Sequence, residues 1–276
     1  MKNHLLVFLL VVFSFGFPSM AQENDTTEQE SKKEVYDFIL LSSRYQNAFN
    51  FLGRDFGADI DLVSTDLMYY FNSGIYFNIS AIKFLQEGLP WQYGGTLGFN
   101  KDLGAKTDIN LSYSQFLIDG QSEVTGIQDL GFAQATFGCE WGFLYSTIQF
   151  QTLFNERTDY FINSSHSRYF EFDQKLFKKI TISFEPKFTL MSGTSEFYRM
   201  GGFDLTVEDT SSFQNFQLLN WEAMLPITFG IGYWDLEFQA RYINPLNLPN
   251  FDESNNRFIF GFQLSYAIPI KKTKSK

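Results

Sequence analysis

From Ile180 to Leu190 apolar and polar residues alternate without interruption. Ile180, Ile182, Phe184, Pro186, Phe188 and Leu190 share one parity, and Thr181, Ser183, Glu185, Lys187 and Thr189 share the other. A period of two puts each set on its own face of an extended chain, so the segment is expected to be a strand with one apolar and one polar face. The pattern recurs at Arg257–Ile268, where Phe258, Phe260, Phe262, Leu264, Tyr266 and Ile268 interleave with Arg257, Ile259, Gly261, Gln263, Ser265 and Ala267. Scanning for the same period gives twelve expected strands: Val35–Asn50, Asp61–Phe71, Gly74–Phe84, Trp91–Asn100, Thr107–Leu117, Leu130–Cys139, Phe143–Phe154, Asp159–Phe172, Lys179–Met191, Phe216–Ile227, Tyr233–Ile243 and Arg257–Ile268. Asp159–Phe172 has the weakest pattern, because Tyr169 and Phe170 adjoin and Ser164, Ser165 and Ser167 dilute both faces.

A soluble antiparallel sandwich alternates in the same way, with the apolar face in its core. The connections argue for the inverse arrangement. Short turns at Asn72–Gly74, Lys101–Lys106, Glu140–Gly142, Asp173–Lys178 and Phe229–Gly232 alternate with longer polar loops at Phe51–Ile60, Ile118–Asp129, Ser192–Asn215 and Asn244–Asn256, although Leu85–Pro90 and Asn155–Thr158 are short for their class. Short turns on one side and long loops on the other are characteristic of a membrane barrel, and an even strand number returns both termini to the periplasm. The expected fold is therefore all-β: a transmembrane antiparallel up-and-down β-barrel of about twelve strands. Its apolar faces would meet lipid, with Trp91, Phe99, Trp221, Trp234 and Tyr266 near strand ends as interfacial aromatics. Pro186 and Pro226 lack ladder donors and are expected at bulges.

Composition agrees with this picture. Lys2 and His4, an apolar run from Leu5 to Phe17 and the small-residue ending Ser19-Met20-Ala21 form a secretory signal peptide cleaved near Ala21. Its apolar run is shorter than the roughly 20 residues a spanning helix needs. The polar stretch Gln22–Lys33 reads as a flexible acidic lead-in, giving a leader at 1–21, a lead-in at 22–34, a barrel at 35–270 and a basic tail at 271–276. Losing Lys2 leaves 20 of the 21 Lys and Arg against 31 Asp and Glu, which disfavours nucleic acid as a partner. Aromatic residues are 19% of the chain, with 34 Phe, and the alternation spreads them over many one-faced strands.

Signal peptide, acidic lead-in, alternating strands, two classes of loop and an aromatic last strand together resemble the outer-membrane β-barrel proteins of Gram-negative bacteria. The Phe-, Tyr- and Asn-rich texture and the stretch Gly53-Arg54-Asp55-Phe56-Gly57 are similar to barrels of the Bacteroidota group. The resemblance covers about Val35 to Ile270 and implies residence in the outer membrane, with outer-membrane lipid and the barrel assembly machinery as partners. One departure is the end of the chain, where Tyr266 is followed by Ala-Ile-Pro-Ile and a Lys-rich tail rather than by a terminal aromatic.

Candidate chemistry lies mainly on the polar parity. Glu185 and Lys187 on one expected strand, Glu222 on the next, and Asp235, Glu237 and Arg241 on the third would place mixed charges on one wall of the lumen. Such groups must meet each other or water. They are read either as a selective wall of a passive channel or small-solute uptake protein, or as an ion-pair network stiffening a plugged structural or surface-interaction barrel. Small residues at Gly94, Gly98, Ser112, Ser114 and Gly138 are expected to leave room for water. A third reading is an outer-membrane lipid hydrolase. It would need the single mature histidine, His166, with Ser164 two residues away on one face, and no orienting third residue is evident. No metal-ligand spacing and no cofactor motif is present, and Cys139 reads as a small apolar residue. Gly53–Gly57 is expected to form a turn with Arg54 and Asp55 as a local pair, while Ser192–Asn215 is long enough to fold inward as a constriction or to bind a partner.

Overall fold

A computed structural model describes residues 36–118, 130–155, 157–201, 203 and 205–271. The leader, the acidic lead-in, loop residues 119–129 and the tail beyond Lys271 lie outside the described residues. The strands are β1 (Tyr36–Gln46), β2 (Leu62–Tyr70), β3 (Ile75–Phe84), β4 (Trp91–Asp102), β5 (Thr107–Ile118), β6 (Leu130–Glu140), β7 (Tyr145–Phe154), β8 (Thr158–Ser167), β9 (Phe170–Glu171), β10 (Thr181–Phe184), β11 (Lys187–Gly193), β12 (Gln217–Ile231), β13 (Trp234–Pro245) and β14 (Arg257–Lys271). A 3₁₀ turn (Glu196–Gly201) and a short α-helix (Val207–Ser212) lie between β11 and β12.

Every neighbouring pair is antiparallel, and the first and last strands close the ring from Tyr36↔Lys271 to Gln46↔Gly261. Because β9 extends β8 and β10 continues into β11, the fourteen strands form a barrel of twelve staves. Each of the twelve expected segments coincides with one stave. The weakly patterned Asp159–Phe172 is split: β8 alternates cleanly, with Asp159, Phe161, Asn163, Ser165 and Ser167 inward, and the chain then breaks at Arg168–Tyr169 before β9.

The two prolines correct the expectation of bulges. Phe184↔Ile227 and Lys187↔Met224 stand in the same register, so Glu185 and Pro186 face Pro226 and Leu225 with no residue inserted. Both missing donors fall in one gap of the ladder, where Glu185 N donates to Pro226 O at 3.3 Å. The true irregularity is at Met191/Ser192, opposite the extra residue Leu219.

Parity decides the two surfaces. Ile79, Leu97, Phe150 and Phe260 point outward and are more than half exposed, while Ser64, Asn78, Gln92 and Gln151 point inward and are buried. A closed barrel with an apolar exterior spans a membrane with strands. Among the described residues no helix is long and apolar enough to cross one. Interfacial aromatics pack at a tilt across neighbouring strands, as in Trp234–Tyr266 at 4.4 Å, Tyr242–Phe258 at 4.8 Å and Trp221–Tyr242 at 5.3 Å. The turns Asn72–Gly74 and Trp141–Leu144 mark the periplasmic rim, and the longer β1–β2, β11–β12 and β13–β14 connections mark the outer one.

Candidate functional site: a charged lumen under an aromatic plug

The outer mouth is filled by its own loops. Phe49, Phe51 and Leu52 from the β1–β2 loop and Phe197, Tyr198 and Phe213 from the β11–β12 loop are all at most 3% exposed. They pack on the inward side chains of the strand ends, including Leu62, Phe84, Phe132, Leu153 and Phe161. Ring contacts tie the loops together: Phe51–Phe197 at 5.6 Å, Tyr198–Phe251 at 5.2 Å, Phe203–Phe251 at 5.0 Å and Phe161–Phe197 at 6.3 Å. The segment Ser192–Asn215 therefore folds inward. Phe, abundant in this chain, forms a core here as well as a lipid-facing surface.

Inside this plug sits a charge. Arg54 is fully buried, and its guanidinium donates to the Tyr198 hydroxyl (Nε, 2.8 Å), Leu219 O (Nη1, 2.6 Å) and Leu246 O (Nη2, 2.8 Å). Asp252 Oδ2 lies 3.5 Å from Arg54 Nε and accepts a hydrogen bond from the Tyr198 hydroxyl. Burial pushes the Tyr198 phenol well up, so it stays protonated and joins the cation to the anion. Asp55 does not pair with Arg54, as the local reading expected; it meets Arg257 at 2.9 Å, and Ser254 Oγ accepts from the amides of Asp55 and Phe56. The turn that aims these side chains needs glycine: Gly53 has φ +83°, and a Cβ there would stand 2.1 Å from the Asn220 amide. Thus the β1–β2 loop is clamped to the β13–β14 loop and the start of β14 by ion pairs of opposite order, Arg54–Asp252 on one side and Asp55 and Asp59 with Arg257 on the other.

Below the plug the lumen is polar. All six charged residues picked from the sequence carry the inward parity, and the structure joins some of them. Glu222 and Arg241 form an ion pair at 3.5 Å, and Lys187 lies in the electrostatic range of Glu222, Glu185 and Arg241. Glu237 accepts from Thr228 Oγ1 at 3.3 Å and from Gln239 Nε2, while Asp235 stands nearer the periplasmic turn and is exposed. The sequence reading missed Arg44, which donates to Gln263 Oε1 (Nε, 2.8 Å) and interacts with Arg241, Glu237 and Asp66. Its inward parity on the first strand was the available signal, and only closure of β1 against β14 brings it to this wall.

Other lumen atoms lack a protein partner: Ser64 Oγ, Asn78 Oδ1, Asn110 Nδ2, Asn163 Oδ1 and both amide atoms of Gln151. These atoms add to the polar character of the inward face, and buried polar atoms of this kind ordinarily take water as a partner. The three glycines do not leave the room for water expected of them. Tyr76 lies over Gly98, Phe116 over Gly94, and the Tyr145 hydroxyl over Gly138, where an added Cβ would approach to 2.2, 2.8 and 2.1 Å respectively. An inward aromatic on the neighbouring strand covers each glycine.

His166 is on the outer wall. Its Nδ1 lies 2.9 Å from Ser146 Oγ on β7, the residue across the ladder, rather than being joined to Ser164. Among the described residues no carboxylate pairs with its ring, and no group of His, Cys, Asp and Glu is arranged to hold a metal.

No protein-family model and no curated protein matches the chain. Solved structures do. A KdgM porin superposes with a TM-score of 0.50 at 9% identity, covering 82% of this chain and 98% of that one. LpxR from Salmonella typhimurium superposes with a TM-score of 0.52 at 5% identity, covering 83% and 99%. At such identities the likeness is one of fold, and the fold is that of the outer-membrane β-barrels.

Proposed function

We propose that this protein is a passive outer-membrane passage for small polar or charged solutes, whose outer mouth the three-loop plug closes in the state described. The observation that carries this reading is the polar inward face with its mixed-charge wall of Glu185, Lys187, Glu222, Asp235, Glu237, Arg241 and Arg44. A barrel needing only mechanical stiffness would be more stable with apolar filling, since buried ion pairs are frequently neutral or unfavourable relative to packed hydrocarbon. The similar barrel described as a porin agrees with a passage. The exposed Ser146–His166 pair lacks an orienting acid, and we assign it no hydrolytic role.

Planar-bilayer recording tests the proposal. Wild type is expected to show brief openings, and Lys187→Glu or Arg241→Glu is expected to move the reversal potential under a salt gradient towards cation selectivity. Absence of current both from folded wild type and from a variant with the β11–β12 loop shortened would overturn the passage. In that outcome the second reading stands, a plugged surface-interaction barrel, which the dense aromatic packing of the mouth favours.

A further inference from the structure

The outer wall carries a dent that a uniform lipid-facing surface would not have. On the outward parity, His166, Phe188, Ala223, Tyr242 and Phe258 are successive partners across β8, β11, β12, β13 and β14. The next row places Pro186, Leu225 and Ala240 beside them. The methyl groups of Ala223 and Ala240, between larger neighbours and next to the ladder gap at Pro186, sink the surface into a groove of ≈ 560 Å³ lined also by Leu144 and Arg168. The groove is almost wholly apolar except at one end, where Arg168 and His166 stand.

That end lies on the periplasmic side of the wall: Arg168 follows β8, and its guanidinium reaches Gly142 O in the β6–β7 turn at the periplasmic rim. The row of partners, perpendicular to tilted strands, then climbs from His166 through Phe188 and Ala223 to Phe258, the second residue of β14 near the outer rim. Arg168 spends one donor on Gly142 O at 2.5 Å, and its guanidinium sits 5.9 Å over the Phe170 ring. A guanidinium has five donors, so Arg168 is held in place with donors to spare for a planar fork to phosphate. The outward neighbours on that rim, Phe170, Phe172, Ile182 and Phe184, are apolar, and the carboxylates beside them, Glu140 and Glu171, accept from Gly142 N and the Tyr169 hydroxyl.

We infer that this groove is a fixed binding site for one phospholipid of the periplasmic leaflet, its phosphate on Arg168 with His166 beside it, and one acyl chain along Phe188, Ala223, Leu225 and Ala240. In a protein of net charge −10, a cation at the foot of an apolar trough is specific complementarity, not general basicity. The site faces the lipid side of the wall and does not depend on whether the barrel conducts.

Trp221 reports on the groove, because its ring is 5.9 Å from Phe188 and 5.3 Å from Tyr242. With Trp91, Trp141 and Trp234 replaced by Phe, this single-tryptophan protein is reconstituted in phosphatidylcholine vesicles containing increasing chain-brominated phosphatidylglycerol. Half-maximal quenching is expected at a mole fraction about tenfold lower than in the same protein carrying Arg168→Gln, and Ala240→Phe is expected to abolish the excess quenching by filling the trough. Inorganic phosphate should not compete, which separates a lipid headgroup from a free anion. Quenching that simply tracks the bulk mole fraction in the parent protein, or that is unchanged by Arg168→Gln in a folded barrel, would overturn the inference.

Discussion

Arg54→Leu should open the plug. The substitution removes three charge-assisted hydrogen bonds, to Tyr198, Leu219 O and Leu246 O, and strips Asp252 of its cation inside a site where both side chains are fully buried. Asp252 would keep only the Tyr198 hydroxyl and the Ser254 amide as partners. Deleting one member of a buried ion pair costs about 3–5 kcal/mol. The cost falls on loop docking rather than on the ladder, because Arg54 belongs to a loop and bonds other loops and one strand end. At about 1.4 kcal/mol per tenfold, the ratio of closed to open mouths should drop by roughly two to four powers of ten. Single-channel open probability reads this directly, and protease added from the outer side should cut the β11–β12 loop faster. A folded Arg54→Leu barrel with wild-type open probability and wild-type protease resistance would refute the latch. The double variant Arg54→Met/Asp252→Leu should recover much of the closure, since an apolar pair of similar volume leaves no buried charge unpaired.

Phe213→Ala, at a ring that is 0% exposed and packs on Tyr198 and Phe251, should weaken the plug by about 3–5 kcal/mol, seen as loss of hydrogen-exchange protection in the β11–β12 loop. Gly98→Val should destabilise the barrel wall by about 1–3 kcal/mol in denaturant titrations, because its Cβ would overlap the Tyr76 ring; Tyr76→Ala in the same chain should relieve part of that cost. Burial outweighs the attraction of Arg257 and pushes the Asp55 carboxyl up from its ordinary value, so the neutral acid docks more readily than the carboxylate. The stabilisation is complete below the ordinary pKa of about 4 and is lost as pH rises through the raised one, so closure should weaken over that window and Asp55→Asn should flatten the dependence of open probability on pH.

The staves were legible because lipid and lumen impose opposite polarity on alternate residues, and that contrast is local. Ser192–Asn215 and Phe51–Ile60 carry Phe without any period, so nothing local distinguishes a plug from a surface loop. The partner of Arg54 was illegible for the same reason: Asp252 and Asp55 are both acidic, and only the docked loops determine which faces the guanidinium. The glycine error has a different origin. Gly94, Gly98 and Gly138 are small in sequence, yet the volume above each belongs to an aromatic on the neighbouring strand, which depends on interstrand register. The charged wall was found in part, from three consecutive strands, and its continuation to Arg44 needed the two ends of the chain to meet.

That meeting also constrains how the molecule is made. The seam between β1 and β14 is its longest-range pairing, fastened on the lumen side by Arg44 and Gln263 across 219 residues of chain. The first strand can find its permanent neighbour only after the last has emerged, so until then the growing sheet has two unsatisfied edges and a face of exposed Phe. Such an intermediate is prone to edge-to-edge association in water. Delivery to the membrane in an unfolded or chaperoned form would avoid that exposure, and closure of this seam, rather than formation of any individual hairpin, is the expected last step of assembly.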